Sequence, residues 1–269
     1  MTTPVRSLAI ESIADMLALA DSEERRLFPP TDLYSEGWML RLVLDSAFRG
    51  SGKLPFPILN GARWYSEARL ASPFMRRAGS ASSHLAEGFT HADGVVGHFT
   101  FRNDTEAGLE LLAGAEQLAV IEAKMFSKLA RGTTRASEYD QAARNVACMA
   151  WVLDRSGRAP EDLKSVAFHV WAPREQLEHE PTFRSYLDKE SIIEKVEHRV
   201  AEYKCDPDRH EELMHWLDRS FRPLMRRAEI QALAWEDVIA GLGGPETETI
   251  AAFYDRCLAH NRPVARQGK

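Results

Sequence analysis

The segment from Leu118 to Phe126 is an apolar run interrupted by one acid and one base, two positions apart. Its apolar residues predict a buried strand. Because alternate residues of a strand project from the same face, the side chains of Glu122 and Lys124 are expected to point the same way. Burying a carboxylate and an ammonium costs free energy unless they pair or bind something charged. A metal-dependent phosphodiesterase site is one reason for a chain to accept this cost.

A second acid, Asp93, opens another expected strand whose apolar residues continue to Phe101. Residues 102–108 are rich in turn formers. If the chain returns antiparallel after this turn, Asp93 near the start of one strand lies beside Glu122 near the end of another. The two acids are therefore predicted to meet.

The Glu-x-Lys spacing alone carries little weight, because it recurs at Glu202 and Lys204. The sequence around this second copy predicts a solvated helix. What distinguishes the first copy is the apolar strand around it and the acid upstream.

The composition bounds the class of protein. The chain has 269 residues, 44% hydrophobic and 28% charged, which is typical of a soluble globular protein. Its net charge of -6 argues against nonspecific coating of nucleic acid, although a local basic cleft remains compatible with it. Three widely separated cysteines indicate neither a zinc knuckle nor a disulfide framework, so we expect a reducing cytoplasm. No apolar run suits a membrane span, and no phosphate loop or nucleophile elbow is present.

Helical and strand patterns alternate along the chain, and they predict an α/β fold with a small mixed sheet. The expected elements are a helix to Asp21, a helix from Thr31 or Asp32 to Gly50, a short helix over 62–70, three strands over 93–126, a helix from Thr133 or Thr134 to just before Gly157, a strand over 165–171, and helices over 187–260. We expect an N-terminal helical region (1–58), a core (59–175) and a C-terminal helical extension (176–269), packed as one unit.

The order of these features resembles the PD-(D/E)XK nuclease superfamily, the restriction-endonuclease-like fold. The resemblance rests on Asp93 at a strand start, Glu122-Ala123-Lys124 in the next core strand, a helix directly afterwards and a strand over 165–171. It covers about residues 60–172. Members share a small mixed sheet flanked by helices, and most cleave phosphodiester bonds with magnesium. The resemblance thus implies a nuclease using Mg²⁺, or Mn²⁺ as a substitute, on DNA rather than RNA.

The chemistry of phosphodiester hydrolysis agrees with this resemblance, since it needs charge neutralisation and an activated water. Asp93, Glu122 and the backbone carbonyl of Ala123 are the expected metal ligands, as magnesium prefers oxygen. Lys124 is expected to position or activate the attacking water. The basic residues expected to hold substrate phosphates are Lys128, Arg131, Arg135 and Arg144.

The family also places an acid on a helix before the hairpin and a polar residue on the helix after the Glu-x-Lys strand. Glu67 is the best match for the acid, followed by Glu36, and Glu87 is expected in the loop approaching Asp93. Gln141 matches the polar residue, although Asn145 stands where the family has tyrosine.

Each candidate also has a structural interpretation. The alternatives are an ion pair at a sheet edge for Glu122 and Lys124, an Asp-Gly turn for Asp93, a helical ion pair with Arg63 for Glu67, a solvated helix position for Gln141, and a structural role for His91 near Asp93.

Two other functions remain open beside the nuclease. One is a catalytically inactive nuclease-fold module that binds nucleic acid or protein. The other is a subunit that needs a partner, or a homodimer, with the interface on the C-terminal helices. The apolar residues expected to form that interface are Leu213, Trp216, Leu217, Ile230, Leu233, Trp235 and Ile239.

Overall fold

The computed structural model describes residues 8–22, 27–50, 52–77, 79, 81–132 and 136–263. The strands are β1 (Arg63–Leu70), β2 (Thr90–Gly97), β3 (Phe99–Phe101), β4 (Leu109–Leu111), β5 (Gln117–Ala123), β6 (Ser165–Ala172) and β7 (Glu229–Ala234). The helices are α1 (Leu8–Asp21), α2 (Pro30–Leu33), α3 (Glu36–Phe48), α4 (Gln141–Arg155), α5 (Arg174–His179), α6 (Thr182–Tyr186), α7 (Lys189–Ala201), α8 (Pro207–Trp216), α9 (Arg222–Arg227), α10 (Trp235–Leu242) and α11 (Thr247–Asn261).

Five strands form one mixed sheet in the order β1-β2-β5-β6-β7. The β1–β2 and β2–β5 pairs are antiparallel, whereas the β5–β6 and β6–β7 pairs are parallel. Strands β3 and β4 form a separate two-stranded sheet. The expected α/β class with a mixed sheet flanked by helices is confirmed.

Strand β5 lies at the centre of the sheet, and all seven of its residues are buried. A parallel neighbour and helices on both faces leave no solvated side, which explains its nearly continuous apolar sequence. The strand expected over 165–171 is confirmed as β6. The region 93–126 holds four strands rather than three, and Asp93 is the fourth residue of β2 rather than its first.

Two apolar cores sandwich the sheet. On one face α4 and α7 to α9 pack over residues such as Val95, Leu118 and Val120. On the other face α3, α10 and α11 pack over Val96 and Ile121. The two cores therefore cover opposite faces of the same sheet, and polar side chains at its centre are screened from water on both sides.

The expected short helix over 62–70 is wrong, because this segment is strand β1. Trp64 and Ala68 are spaced like one helical turn, and that spacing favoured a helix. Pairing with β2 outweighs this local preference, since residues 63–66 and 68–70 of β1 each face a partner on β2. Tertiary pairing overrides propensity here.

The expected all-helical extension over 176–269 also needs correction. Strand β7 lies inside it and forms the edge of the main sheet, parallel to β6. Its sequence, Glu229 to Ala234, lacks the clear alternation that signals a strand. The C-terminal part of the chain is thus part of the sheet rather than a helical appendage.

Two helix starts differ from expectation as well. The second N-terminal helix is divided into α2 and α3, with the hydroxyl of Ser35 accepting a hydrogen bond from the backbone N–H of Trp38. Helix α4 begins only at Gln141, because Asp140 caps it by accepting from the N–H of Ala143, 2.9 Å away. Thr133 and Thr134 lie outside the described residues.

Within the described chain, no helix combines the length and apolar character needed to cross a bilayer.

Candidate functional site

The two expected acids meet where strands β2 and β5 separate. The last paired residues of this ladder are Gly94 and Ile121. Beyond them, the side chain of Asp93 continues the pairing: its Oδ2 accepts a hydrogen bond from the backbone N–H of Ala123, 2.7 Å away. The predicted approach of Asp93 to the Glu122 segment is confirmed, and Ala123 takes part through its N–H.

Glu67 lies across from Asp93 in the β1–β2 register and adopts a left-handed backbone conformation, with φ of 58°. The residues on either side of Glu67 contact opposite faces of the sheet. Ser66 accepts a hydrogen bond from Arg41 of α3, 2.8 Å away, whereas Ala68 belongs to the core under α4. Residues two apart in a regular strand share one face, so the unusual φ reverses the alternation of β1 beside Asp93.

The Glu122 carboxylate is the centre of the site and is only 1% exposed. Its Oε1 accepts from Nζ of Lys124 at 2.6 Å and from Nε2 of Gln141 at 2.5 Å. Its Oε2 accepts from Nδ2 of Asn145 at 3.3 Å. Helix α4 therefore supplies two amide donors, one turn apart, to an acid on the central strand.

Burial and crowding alter the protonation of this group. Burial and then the neighbouring charge of Asp93 raise the pKa of Glu122 to about 8, against the opposing effect of Lys124. Burial also raises the pKa of Asp93, against the lowering effects of the Ala123 hydrogen bond and of Lys124. Two acids that resist joint ionisation form a place where a proton or a cation is stabilised.

Lys124 remains a cation in this setting. Burial lowers its pKa, but the charges of Glu122, Asp93 and Glu36 outweigh that effect and raise the pKa above its ordinary value. Its backbone carbonyl accepts from the indole N–H of Trp235, 3.0 Å away, which fixes the chain just after β5.

Glu36, the second choice for the helical acid, begins α3. Burial raises its pKa, Lys124 lowers it, and Asp93 and Glu67 raise it again, so its carboxylate lies within electrostatic reach of the site. Glu67, the first choice, is on a strand instead of a helix, and its half-exposed carboxylate lies 3.6 Å from Arg41. Both acids thus approach the site, and Glu36 is the one on a helix.

The expected phosphate-binding residues are dispersed. Lys128 is exposed and pairs with Glu180 at 2.6 Å, and Arg131 is exposed. Arg144 donates to the hydroxyl of Thr90 at 3.4 Å and faces Glu87 electrostatically. Arg135 lies outside the described residues. The structure does not gather the described members of this set around Glu122.

The remaining candidates occupy different surroundings. Glu87, expected in the loop approaching Asp93, precedes β2 and accepts a hydrogen bond from Ser72, and burial raises its pKa. His91 is exposed on β2, and its charge lowers the pKa of Asp93. His91 can therefore influence the site from its rim.

Sequence reasoning missed three contributors, namely Asn145, Arg41 and Trp235. Asn145 is buried four residues after Gln141, a spacing that places both amides on one helical face. That spacing could have predicted that Asn145 lies beside Gln141 at the site. Arg41 and Trp235 reach the site through tertiary packing, and the sequence carries no local sign of it.

The oxygen ligands that this site offers match part of what magnesium needs. In the described chain, no group of three or more His, Cys, Asp or Glu side chains is placed to hold a metal ion. Magnesium in enzymes is commonly held by one or two carboxylates together with waters and substrate phosphates, so the Asp93 and Glu122 pair meets the minimum. The metal role expected for the carbonyl of Ala123 stays a prediction.

Comparisons with known proteins were made at the level of families, of sequences and of folds. No family model matches this chain, and no curated protein or solved structure matches it either.

Proposed function

We propose that this protein is a metal-dependent nuclease of the PD-(D/E)XK type, which hydrolyses phosphodiester bonds in DNA. The observation that carries the proposal is the buried Glu122 carboxylate, set between a second acid and a lysine at the end of the central strand. An ion pair kept only for stability has no need of the second acid or of two amide donors from α4.

Asp93 and Glu122 are the residues that would hold the ion. Magnesium, when bound, supplies Lewis acidity at the phosphate and favours ionisation of a water. A divalent cation held by these residues in place of the proton that the acid pair retains would offset the mutual repulsion of the two carboxylates. It would also reduce the cost of burying them.

Lys124 acts on the substrate side of the site. Hydrolysis forms a bond between a water oxygen and phosphorus and breaks one ester bond, leaving a phosphate and a hydroxyl. Negative charge increases on the phosphate oxygens in the transition state, and the protonated Lys124 offsets it in a site with little water. Because Lys124 keeps its proton, it orients the water rather than deprotonating it.

Gln141 and Asn145 are positioning residues. Each donates to a different oxygen of Glu122, so together they fix the rotation of the carboxylate. Gln141 is itself held, since its Oε1 accepts from the backbone N–H of Ala130 at 3.1 Å. A fixed carboxylate needs no reorganisation when the charge develops.

The test is cleavage of single-stranded and duplex DNA and RNA with Mg²⁺ or Mn²⁺, with chelator as the blank. Asp93→Asn keeps the size of the side chain and removes its charge, so we expect cleavage to fall by about 100-fold or more. Wild-type protein that cleaves none of these substrates with either metal would refute the proposal.

The catalytically inactive nucleic-acid-binding module is the second candidate. It is favoured because, among the described residues, no three or more His, Cys, Asp or Glu side chains are grouped so as to hold a metal ion. Calorimetric titration separates the two, since the inactive module binds neither Mg²⁺ nor Mn²⁺ whereas the nuclease binds one of them.

For the partner-dependent alternative, the expected interface is mostly buried. Five of its seven apolar residues, Leu213, Trp216, Leu217, Trp235 and Ile239, are buried inside the protein. A partner or second copy would need a different surface.

A further inference from the structure

A cavity of about 500 Å³ opens beside the end of β5. Phe126 forms one wall, and Lys128, His179 and Arg262 line other parts of it. Two residues of chain span at most about 7 Å, so the Phe126 backbone lies close to that of Lys124. The cavity therefore begins at a residue two positions beyond Lys124 in the chain, although the side chains of Asp93, Glu122 and Lys124 do not line it.

The side chain of Gln176 fixes the backbone at Phe126. The Phe126 backbone has a left-handed φ of 68°, a conformation that a non-glycine residue keeps only when its surroundings stabilise it. Gln176 of α5 stabilises this turn: its Oε1 accepts from the N–H of Phe126 at 2.9 Å, and its Nε2 donates to the carbonyl of Ser127 at 2.7 Å. Gln176 is buried, whereas the Phe126 side chain remains partly exposed. The turn thus leaves the aromatic ring partly exposed at the edge of the core, against which it also packs.

Two cations line the cavity, and each already has a carboxylate partner. The Arg262 guanidinium lies over the Phe126 ring, 5.9 Å from its centre, and pairs with Glu175 at 2.8 Å. Lys128 pairs with Glu180 at 2.6 Å. The pair of Arg262 with Glu175 is solvent-exposed and contributes little stability, so the guanidinium can move away from the ring at little cost.

The balance of charges limits what the cavity can hold. Two cations and two carboxylates leave no net excess, so the cavity is poorly suited to a cluster of phosphates. An aromatic face, a guanidinium and an imidazole are instead groups on which a flat, uncharged ring stacks. A base reaches such a cavity only when it is unpaired and out of a helical stack.

We propose that this cavity is a subsite for one unpaired nucleobase, which stacks on Phe126 in place of the Arg262 guanidinium while the neighbouring phosphate of the same strand lies at Glu122 and Lys124. The inference rests on the proposed nuclease function and deepens it. It assigns single-stranded DNA, or a duplex end that has frayed, as the substrate class. Stacking is tolerant of base identity, so the subsite selects strand structure rather than sequence.

The test measures binding in chelator, so that its outcome does not depend on cleavage. Fluorescence anisotropy compares three labelled ligands of equal length: a single strand, the matching duplex, and a strand of the same backbone whose bases are all abasic. Wild-type protein is expected to bind the base-bearing strand about tenfold more tightly than the abasic strand. Equal affinity for these two strands would overturn the proposal without any variant.

Two variants sharpen the result. Phe126→Leu keeps an apolar side chain but removes the ring, and it should lower affinity for the base-bearing strand by about tenfold while leaving abasic binding unchanged. Phe126→Tyr keeps the ring and should bind like wild type. An equal loss for both strands in Phe126→Leu would contradict a stacking subsite.

Failure of the subsite and failure of the nuclease are distinguishable. Cleavage of DNA by a protein that binds base-bearing and abasic strands equally well would remove the subsite and leave the nuclease. Selective binding of the base-bearing strand by a protein that cleaves nothing would leave the subsite and remove the nuclease.

Discussion

The same Glu-x-Lys spacing occurs twice in this protein, in opposite environments. Glu122 and Lys124 are buried at the end of a central strand, with Nζ and Oε1 2.6 Å apart. Glu202 and Lys204 lie in a 3₁₀ turn after α7, where Lys204 is exposed and Glu202 pairs with Arg199 instead. The strand brings positions i and i+2 together, whereas helical geometry separates them. Backbone conformation, more than residue identity, therefore decides whether this spacing can form a site.

The largest expected difference between the two copies is in cleavage. Lys124→Ala removes the cation beside Glu122, and we expect the rate of DNA cleavage to fall by about 100- to 1,000-fold. Lys204→Ala removes an exposed charge from the other copy and should leave the rate within about twofold of wild type. Single-turnover assays with Mg²⁺ measure both. Equal activity of the two variants would break the comparison.

Stability against pH gives the next difference. Without metal, the folded pKa of Glu122 is about 8, above the ordinary value of 4.5. The unfolded chain loses this proton first, so the free energy of unfolding falls as pH rises from about 4.5 to about 8, by a few kcal/mol. Glu122→Gln should remove that fall, and Glu202→Gln should retain it. Urea denaturation in chelator at several pH values measures the slope, and retention of the fall in Glu122→Gln would count against the assignment.

His169 on β6 shows what burial does to an ionisable group outside the site. Its side chain is fully buried, which lowers its pKa from 6.5 to about 4, and the half-exposed Glu229, 3.7 Å away, does not reverse this. The unfolded state therefore binds a proton more readily, and stability falls as pH decreases from about 6.5 to about 4, by roughly 3 kcal/mol. When the free energy of unfolding is measured at decreasing pH, it should fall less steeply in His169→Phe than in wild type.

The control for His169 is His215→Phe, which replaces an exposed histidine on α8. It should keep the wild-type dependence on pH. If the free energy of unfolding falls equally with decreasing pH in wild type and in His169→Phe, then other groups control stability in this range.

The smallest expected effect concerns the strained Glu67. Glycine adopts a φ of 58° without steric cost, so Glu67→Gly should raise the free energy of unfolding by about 1 kcal/mol. Loss of the partly exposed contact with Arg41 subtracts little. Glu110→Gly is the matched control on β4 and should lower stability by up to about 1 kcal/mol. Urea denaturation compares them, and destabilisation by both variants would remove the argument for strain.

The central strands were predictable because their signal is local. An apolar run long enough for a buried strand predicted β5, and the same reasoning predicted β6. The meeting of Asp93 with the Glu122 segment followed from an antiparallel return of the chain. These features depend on a few consecutive residues and one turn.

What escaped prediction depends on distant parts of the chain. Strand β1 owes its conformation to pairing with β2, and β7 forms beside a strand about sixty residues earlier. Arg41 approaches the site through the packing of α3. The described members of the expected phosphate-binding set are dispersed, because neighbours in sequence on a loop and a helix point in different directions, and their role stays a prediction. The nuclease assignment itself stays a prediction.

The indole of Trp235 reaches back across 111 positions to the carbonyl of Lys124. The end of β5 thus acquires its full set of contacts only when the segment through Trp235 has been made. A nascent chain that already carries Asp93, Glu122 and Lys124 still lacks this anchor and the edge strand before it. Under the proposed activity, we expect a product truncated before Glu229 to be less active than the whole chain, because it lacks both this hydrogen bond and strand β7.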